Sequence, residues 1–148
     1  MPKELKYGYL RGPRVIVDAV EISASQNFEN DSGKWCKLAT NRLTIADSGD
    51  TELFGWAEVG DFTSSATAGA DSAAVDISLL SVFRMPADAD PASTVYGDTC
   101  DLIVNAGNQQ ADVGESTEDV IQIVGRDADN DTVDVRLNPS KVAATGVV

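Results

Sequence analysis

The chain has 148 residues, of which 43% are apolar and 24% are charged, and this is the size and composition of one ordinary globular domain. That composition excludes collagen-like and coiled-coil proteins, and no stretch approaches the roughly 20 consecutive apolar residues of a membrane span. The net charge of −13 predicts repulsion from nucleic acid and from anionic membranes.

Charge separates the beginning of the chain from the remainder. Residues 1–42 carry seven bases and five acids, a net charge of +2, whereas residues 43–148 carry four bases and nineteen acids, a net charge of −15. The charged start of the chain does not resemble a signal peptide, so we expect intracellular synthesis with reduced cysteines. Residues 1–12 precede the first clear strand pattern and are predicted to form an extended N-terminal arm.

The N-terminal segment combines bases with aromatic residues. Residues 1–14 contain four bases, two tyrosines and one acid. Arginine and aromatic side chains are typical anchors of protein interfaces, although an edge strand with a solvated face would show the same pattern. The candidate partner-binding residues are Lys3, Lys6, Tyr7, Tyr9, Arg11 and Arg14.

Beyond this segment the residue choice favours β-strands, with 23 valines and isoleucines against nine leucines. In the strand predicted over residues 75–83, we expect Phe83 to lie in the core and Leu80 to be covered on the opposite face. The predicted elements in chain order are a strand over 13–22, a hairpin of 42–46 with 51–59, the strand over 75–83, a strand over 98–104, and a hairpin of 120–124 with 132–137.

The connecting segments at 23–33, 61–74 and 105–118 are polar or rich in small residues, and they are predicted to be long loops. Several short strands separated by turn signals are typical of β-sandwiches and barrels. The sequence therefore predicts a single all-β domain over residues 1–148. Its expected form is a compact antiparallel β-sandwich or barrel with an extended N-terminal arm and long loops.

The sequence offers little catalytic chemistry. It contains no histidine, which removes the commonest general base and the commonest metal ligand. Asp127, Asp129 and Asp131 have the spacing that opens a calcium loop, but the later glycine and glutamate are replaced, so a polar hairpin tip is predicted. An enzyme would need a cleft that holds a carboxylate of perturbed pKa. We therefore predict a protein that is not an enzyme and binds no metal or cofactor.

The cysteines and the large aromatic residues each have a structural interpretation. Cys36 and Cys100 are expected to be unpaired thiols that pack as small apolar residues. Trp35, Phe54 and Trp56 could form a sugar-binding platform, but large aromatics in a small β-domain are more often core or interface residues. The platform would support a carbohydrate- or receptor-binding module, which is the alternative function.

Three segments resemble the small β-rich decoration (cement) proteins that coat the capsids of tailed bacteriophages. They are Val82-Phe83-Arg84-Met85-Pro86, Gly97-Asp98 and Val133-Asp134-Val135-Arg136-Leu137. The similarity covers about Thr51–Leu137, and Ser81 stands where glycine is usual in that family. The resemblance implies a compact non-catalytic β-domain, homo-oligomers that are frequently trimers, and attachment partly through an N-terminal arm.

Taken with the charge asymmetry, this resemblance leads to one functional expectation. The protein is expected to be a structural virion protein that binds junctions of the major capsid protein on the outer surface and stabilises the shell. Many weakly bound copies would reinforce the shell by avidity and buried area. The expected partners are the coat protein and further copies of the chain, with a trimer favoured, and neither nucleic acid nor membrane.

Overall fold

The computed structural model describes residues 7–28 and 33–142. Regular structure in these residues is almost entirely β-strand, with one 3-10 turn at Pro139–Lys141. The strands are β1 (Gly8–Arg11), β2 (Ile16–Glu21), β3 (Asn27–Phe28), β4 (Lys34–Ala39), β5 (Arg42–Ile45), β6 (Gly55–Ala57), β7 (Phe62–Thr63), β8 (Ser72–Asp76), β9 (Val82–Pro86), β10 (Thr99–Asn105), β11 (Asn108–Asp112), β12 (Ile121–Asp127) and β13 (Thr132–Leu137). No helix within these two ranges has the length and apolar character needed to cross a membrane.

The strands form antiparallel sheets that pack as a sandwich. The larger sheet has the order β1-β9-β13-β12-β10-β11, the smaller has the order β2-β8-β6-β4-β5, and β3 pairs separately with β7. The predicted all-β antiparallel sandwich is confirmed, and over the described residues the sheets do not close into a barrel. Consecutive strands β1 and β2 lie at the edges of different sheets, so residues 12–15 cross from one sheet to the other.

The main core lies between the two sheets and is centred on aromatic side chains. Trp35 of β4 and Trp56 of β6 pack on Phe83 of β9, with ring centroids 5.0 and 4.9 Å from the phenyl ring. Successive residues of a strand face opposite sides, so Cys36 points away from Trp35 and joins a second apolar cluster with Phe28. The smaller sheet is therefore covered on both faces, and the predicted burial of Phe83 is confirmed.

Both cysteines are buried free thiols, as predicted. Burial raises the pKa of Cys36. Burial also raises the pKa of Cys100 to about 12, with a further contribution from the neighbouring Asp101 carboxylate. Both side chains are consequently protonated at neutral pH and pack as small apolar residues.

The strand over 98–104 and the C-terminal hairpin are confirmed. β10 covers Thr99–Asn105, and β12 pairs antiparallel with β13. The register shifts between Ile123 and Gly125, an irregularity of the kind that a β-bulge produces. The turn between these strands is polar, and Asp127 accepts hydrogen bonds from the backbone of Asp129 and the side chain of Asn130.

The predicted hairpin of 42–46 with 51–59 is wrong. β5 pairs with the preceding strand β4 through Thr40 and Asn41, whose φ angles of 52° and 60° are those of a tight hairpin turn. β6 pairs with the other side of β4. The Asp-Ser-Gly-Asp turn at 47–50 is the stronger turn signal in the sequence, but it does not join two paired strands.

The continuous strand predicted over 75–83 is also wrong. β8 ends at Asp76 and β9 begins at Val82 in the other sheet, so Val75 and Phe83 lie in different apolar clusters. The Asp76 carboxylate accepts a hydrogen bond from the backbone N–H of Ser78 at 3.0 Å, a local turn that ends the strand. Leu80, which was expected to be covered, is exposed as a result.

The predicted loops contain regular structure. β3 lies within 23–33, although residues 29–32 are outside the described ranges, and β7 and the start of β8 lie within 61–74. β11 lies within 105–118 and pairs with β10 through Ala106 and Gly107, both with positive φ. Its sequence, Asn-Gln-Gln-Ala-Asp, lacks β-branched residues and therefore gives no strand signal.

Gln109 of β11 explains how this polar strand is held. Its side chain accepts a hydrogen bond from the Trp35 N–H at 2.8 Å and donates to the carbonyl oxygens of Trp35 and Ala46 at 2.8 and 2.9 Å. These three bonds join the larger sheet to the smaller one. They satisfy most of the hydrogen-bonding capacity of a side chain that is only 8% exposed.

Part of the predicted N-terminal arm is a paired strand. Gly8 and Tyr9 of β1 lie opposite Arg84 and Phe83 of β9, and a register shift follows before Arg11. Residues 1–6 lie outside the described ranges. The extended arm predicted over residues 1–12 is therefore corrected for residues 8–11, which form the edge of the larger sheet.

Candidate attachment surface

Residues 12–15 carry the chain between the two sheets and bring it against the connection between β8 and β9. Gly12 has φ of +103°, and a side chain there would collide with the carbonyl group of Leu80. The Ser78 hydroxyl donates a hydrogen bond to the Pro13 carbonyl oxygen at 2.6 Å, and the Ile77 N–H donates to the Val15 carbonyl oxygen at 2.9 Å. These contacts fix the two segments side by side.

Arg14 lies at the centre of this crossing. Its guanidinium group pairs with Glu58 at 2.5 Å and with Asp76 at 3.0 Å, and it lies 4.1 Å from the centroid of the Tyr9 ring. Partial burial disfavours the charged form, but the hydrogen bonds to Glu58 and Asp76 outweigh it and raise the pKa of Arg14. Arg14 therefore compensates the charge of the buried Asp76 carboxylate.

Tyr9 is likewise committed to contacts within the protein. Its ring meets Phe83 edge-on at 6.0 Å between centroids, and its hydroxyl donates to the Gly12 carbonyl oxygen at 2.6 Å. Of the six predicted partner-binding residues, Tyr9 and Arg14 thus form part of the fold. Tyr7 and Arg11 are exposed, whereas Lys3 and Lys6 lie outside the described ranges.

The crossing also exposes four aliphatic side chains that the sequence reasoning did not select, here termed the aliphatic patch. They are Val15, Ile16, Leu79 and Leu80, which are 52%, 44%, 39% and 57% exposed. The hydrogen bond between Ile77 and Val15, and the register that sets Ile16 opposite Asp76, place the two segments of the patch next to each other. Alternation gives no signal of this exposure, because it places Leu79 and Leu80 on the two faces of one continuous, covered strand.

The proposed sugar-binding platform is not formed. Trp35 and Trp56 are buried in the main core, 5.1 Å apart, and Phe54 is half-buried against the second apolar cluster. The two indole rings therefore have no open face on which a sugar could stack.

A carboxylate cluster lies on the larger sheet, away from the predicted residues. Burial and the neighbouring Asp88 carboxylate raise the pKa of Asp112 to about 6. Asp101 accepts hydrogen bonds from the backbone N–H groups of residues 117–119, at 2.8 to 3.2 Å, and these bonds outweigh burial and lower its pKa. The Asp101 carboxylate therefore holds residues 117–119 in place. Among the described residues no group of three or more metal-ligating side chains could hold a metal ion.

The chain matches no protein-family model, and no curated protein resembles it at a significant level.

Proposed function

We propose that the protein is a decoration protein of a bacteriophage capsid, which binds the major capsid protein on the outer surface and stabilises the shell. Its place of action is the virion, and its role is structural, without catalysis or a cofactor. Copies of the chain associate on the shell, with a trimer as the favoured oligomer.

The observation that carries this proposal is the position of the base-containing N-terminal segment. Residues 1–14 have three more bases than acids, and the exposed Tyr7 directly precedes the edge strand β1. The body that follows is acidic and has a closely packed aromatic core. A rigid body with exposed Tyr7 and Arg11 at one edge suits attachment to a large protein surface.

The resemblance to decoration proteins gives independent support. Two of its segments form β9 and β13, which are neighbouring strands of the larger sheet. The third segment lies beside β12, because the Gly97 N–H donates to the Ile123 carbonyl oxygen and the Ile123 N–H donates to that of Asp98. The three similar segments therefore belong to one continuous part of the fold.

Sedimentation with purified capsids tests the proposal. The full chain is mixed with capsids of the phage that encodes it, prepared without the protein, and is expected to pellet with the particles and to saturate at a fixed number of copies. A protein that stays in the supernatant at saturating concentration would contradict the proposal. Binding to glycans by the free protein, without capsid binding, would favour the alternative receptor-binding function.

A further inference from the structure

We infer that the aliphatic patch, with Arg11 at its border, is the surface that docks on the coat protein. This inference rests on the proposed function. The partner surface is identified by its chemistry: it is an apolar surface of a coat subunit, with a carboxylate next to the apolar area.

The first step concerns the apolar side chains. Six large hydrophobic residues are exposed among the described residues, and four of them form the aliphatic patch. Single exposed apolar residues are normal on soluble proteins, but several exposed on two adjoining segments with a rigid support are typical of interfaces. The support here is rigid because the Ser78 hydroxyl, the Asp76 carboxylate and Gly12 fix the two segments against each other.

The second step concerns the charge next to the patch. Arg11 is exposed and immediately precedes Gly12, whose backbone lies against Leu80. It has no ion pair or side-chain hydrogen bond with any described residue, although the chain has 24 acids. The other described arginines are engaged: Arg14, Arg42 and Arg84 with carboxylates, Arg126 with the Pro91 carbonyl oxygen and Arg136 with the Gln122 side chain.

The third step concerns the kind of contact. β1 and β2 are both edge strands, and each has a register shift, between Tyr9 and Arg11 and between Val17 and Val20. Irregular edges resist the addition of a further strand, so the partner is held by side chains. An apolar surface with a carboxylate would cover the patch and pair with Arg11. A second copy suits this patch less well, because each copy carries a net charge of −13.

The experiment compares capsid binding of the full chain with that of surface variants. The patch variant combines Val15→Gln with Leu80→Gln, and the charge variant is Arg11→Gln. The matched control is Tyr96→Gln, since Tyr96 is 56% exposed but lies in the connection between β9 and β10, outside the patch. Thermal unfolding and analytical ultracentrifugation of each free protein accompany the binding measurement.

The patch variant is expected to bind capsids at least about tenfold more weakly than the unmodified chain, because central apolar contacts dominate interface energies. Arg11→Gln should weaken binding and reduce its dependence on salt, whereas Tyr96→Gln should bind within about twofold of the unmodified chain. Every variant is expected to have the same melting temperature as the unmodified chain, since all the replaced side chains are exposed.

Three outcomes overturn the inference. If the unmodified chain binds and both the patch and charge variants bind equally well, attachment lies elsewhere and the proposed function stands. If the unmodified chain does not bind, the proposed function fails and the inference fails with it. If the patch variant loses self-association in ultracentrifugation while retaining capsid binding, the occupant of the patch is a second copy.

Discussion

In the interior between the sheets, the amide side chain of Gln109 is almost fully buried, whereas at the crossing between the sheets the apolar side chain of Leu80 is more than half exposed. Gln109 is buried because Trp35 and Ala46 supply partners for its oxygen and nitrogen. Leu80 is exposed because the turn at Asp76 and Ser78 directs its segment away from both cores. Whether a side chain is buried here depends on the hydrogen-bonding or packing partners around it and not only on whether it is polar or apolar. This difference distinguishes the interior around Gln109 from the candidate attachment surface around Leu80.

The largest effect is expected from the interior. Replacement of Phe83 by alanine removes a buried ring that contacts Trp35, Trp56 and Tyr9, and should lower the free energy of unfolding by about 3–5 kcal/mol. Chemical denaturation measures this change. A loss below about 1 kcal/mol, as at an exposed site, would contradict the placement of Phe83 in the main core.

A smaller loss is expected at Gln109. Gln109→Ala leaves the Trp35 N–H and the Ala46 carbonyl oxygen without the partner that Gln109 supplies, while the Trp35 carbonyl oxygen keeps its bond from the Ala46 N–H. The free energy of unfolding should therefore fall by about 2–3 kcal/mol. Gln110→Ala, one residue further along β11 and on the opposite face, is the matched control and should cost less than about 0.5 kcal/mol. Equal effects of the two changes in denaturation experiments would show that the junction between the sheets does not depend on Gln109.

The two N-terminal tyrosines sharpen the comparison. Tyr9→Ala removes the contact with Phe83, the hydrogen bond to Gly12 and the ring beneath Arg14, and should cost about 2 kcal/mol of unfolding free energy. Tyr7→Ala should cost less than about 0.5 kcal/mol, because Tyr7 is exposed. Deletion of residues 2–12 removes β1 together with Tyr9 and should therefore destabilise the protein. A deletion variant that melts like the full chain would contradict the pairing of β1.

The smallest expected effect is a pH dependence of the free energy of unfolding, which arises at Asp112 in the carboxylate cluster. The pKa of Asp112 is raised in the folded protein, to about 6 from 3.8, so its protonated form favours folding. The stabilisation that Asp112 contributes to the folded protein is fully present below about pH 4 and is lost as the pH rises through about 6. The neighbouring Asp88, Glu115 and Asp101 carboxylates contribute to the raised pKa, and solvent screening of this partly exposed group reduces the net change in unfolding free energy to about 1 kcal/mol.

Denaturation of Asp112→Asn between pH 4 and 7 isolates that effect. The variant should become more stable relative to the unmodified chain as pH rises, because it lacks the charge that the unmodified chain gains. A stability difference that is constant over this range would contradict the raised pKa of Asp112.

Much of the fold could be predicted, because alternation identifies strands with one buried face. The pair β12 and β13 follows from that alternation. Phe83 is buried as predicted, although the strand predicted over 75–83 is broken before it. Which strands pair could not be predicted, since Thr40 and Asn41 make the turn between β4 and β5 without a glycine. β11 gave no signal, because its burial depends on hydrogen bonds from Gln109 to residues more than 60 positions away.

The candidate surface was predictable only in part. The N-terminal residues could be selected from their charge and aromatic character, but sequence could not separate Tyr9 and Arg14, which bind within the fold, from Tyr7 and Arg11, which are exposed. That separation depends on Asp76 and Phe83, which lie more than 60 residues further along the chain. The exposure of Leu80 depends on a strand break that alternation does not reveal.

A reconstruction of the capsid with the bound protein, at a resolution that places side chains, tests the central claim most directly. The account predicts that Val15, Ile16, Leu79 and Leu80 face a coat subunit, with a coat carboxylate against Arg11. A reconstruction in which these side chains face solvent or another copy, while residues 61–74 or 105–118 contact the coat, would contradict it.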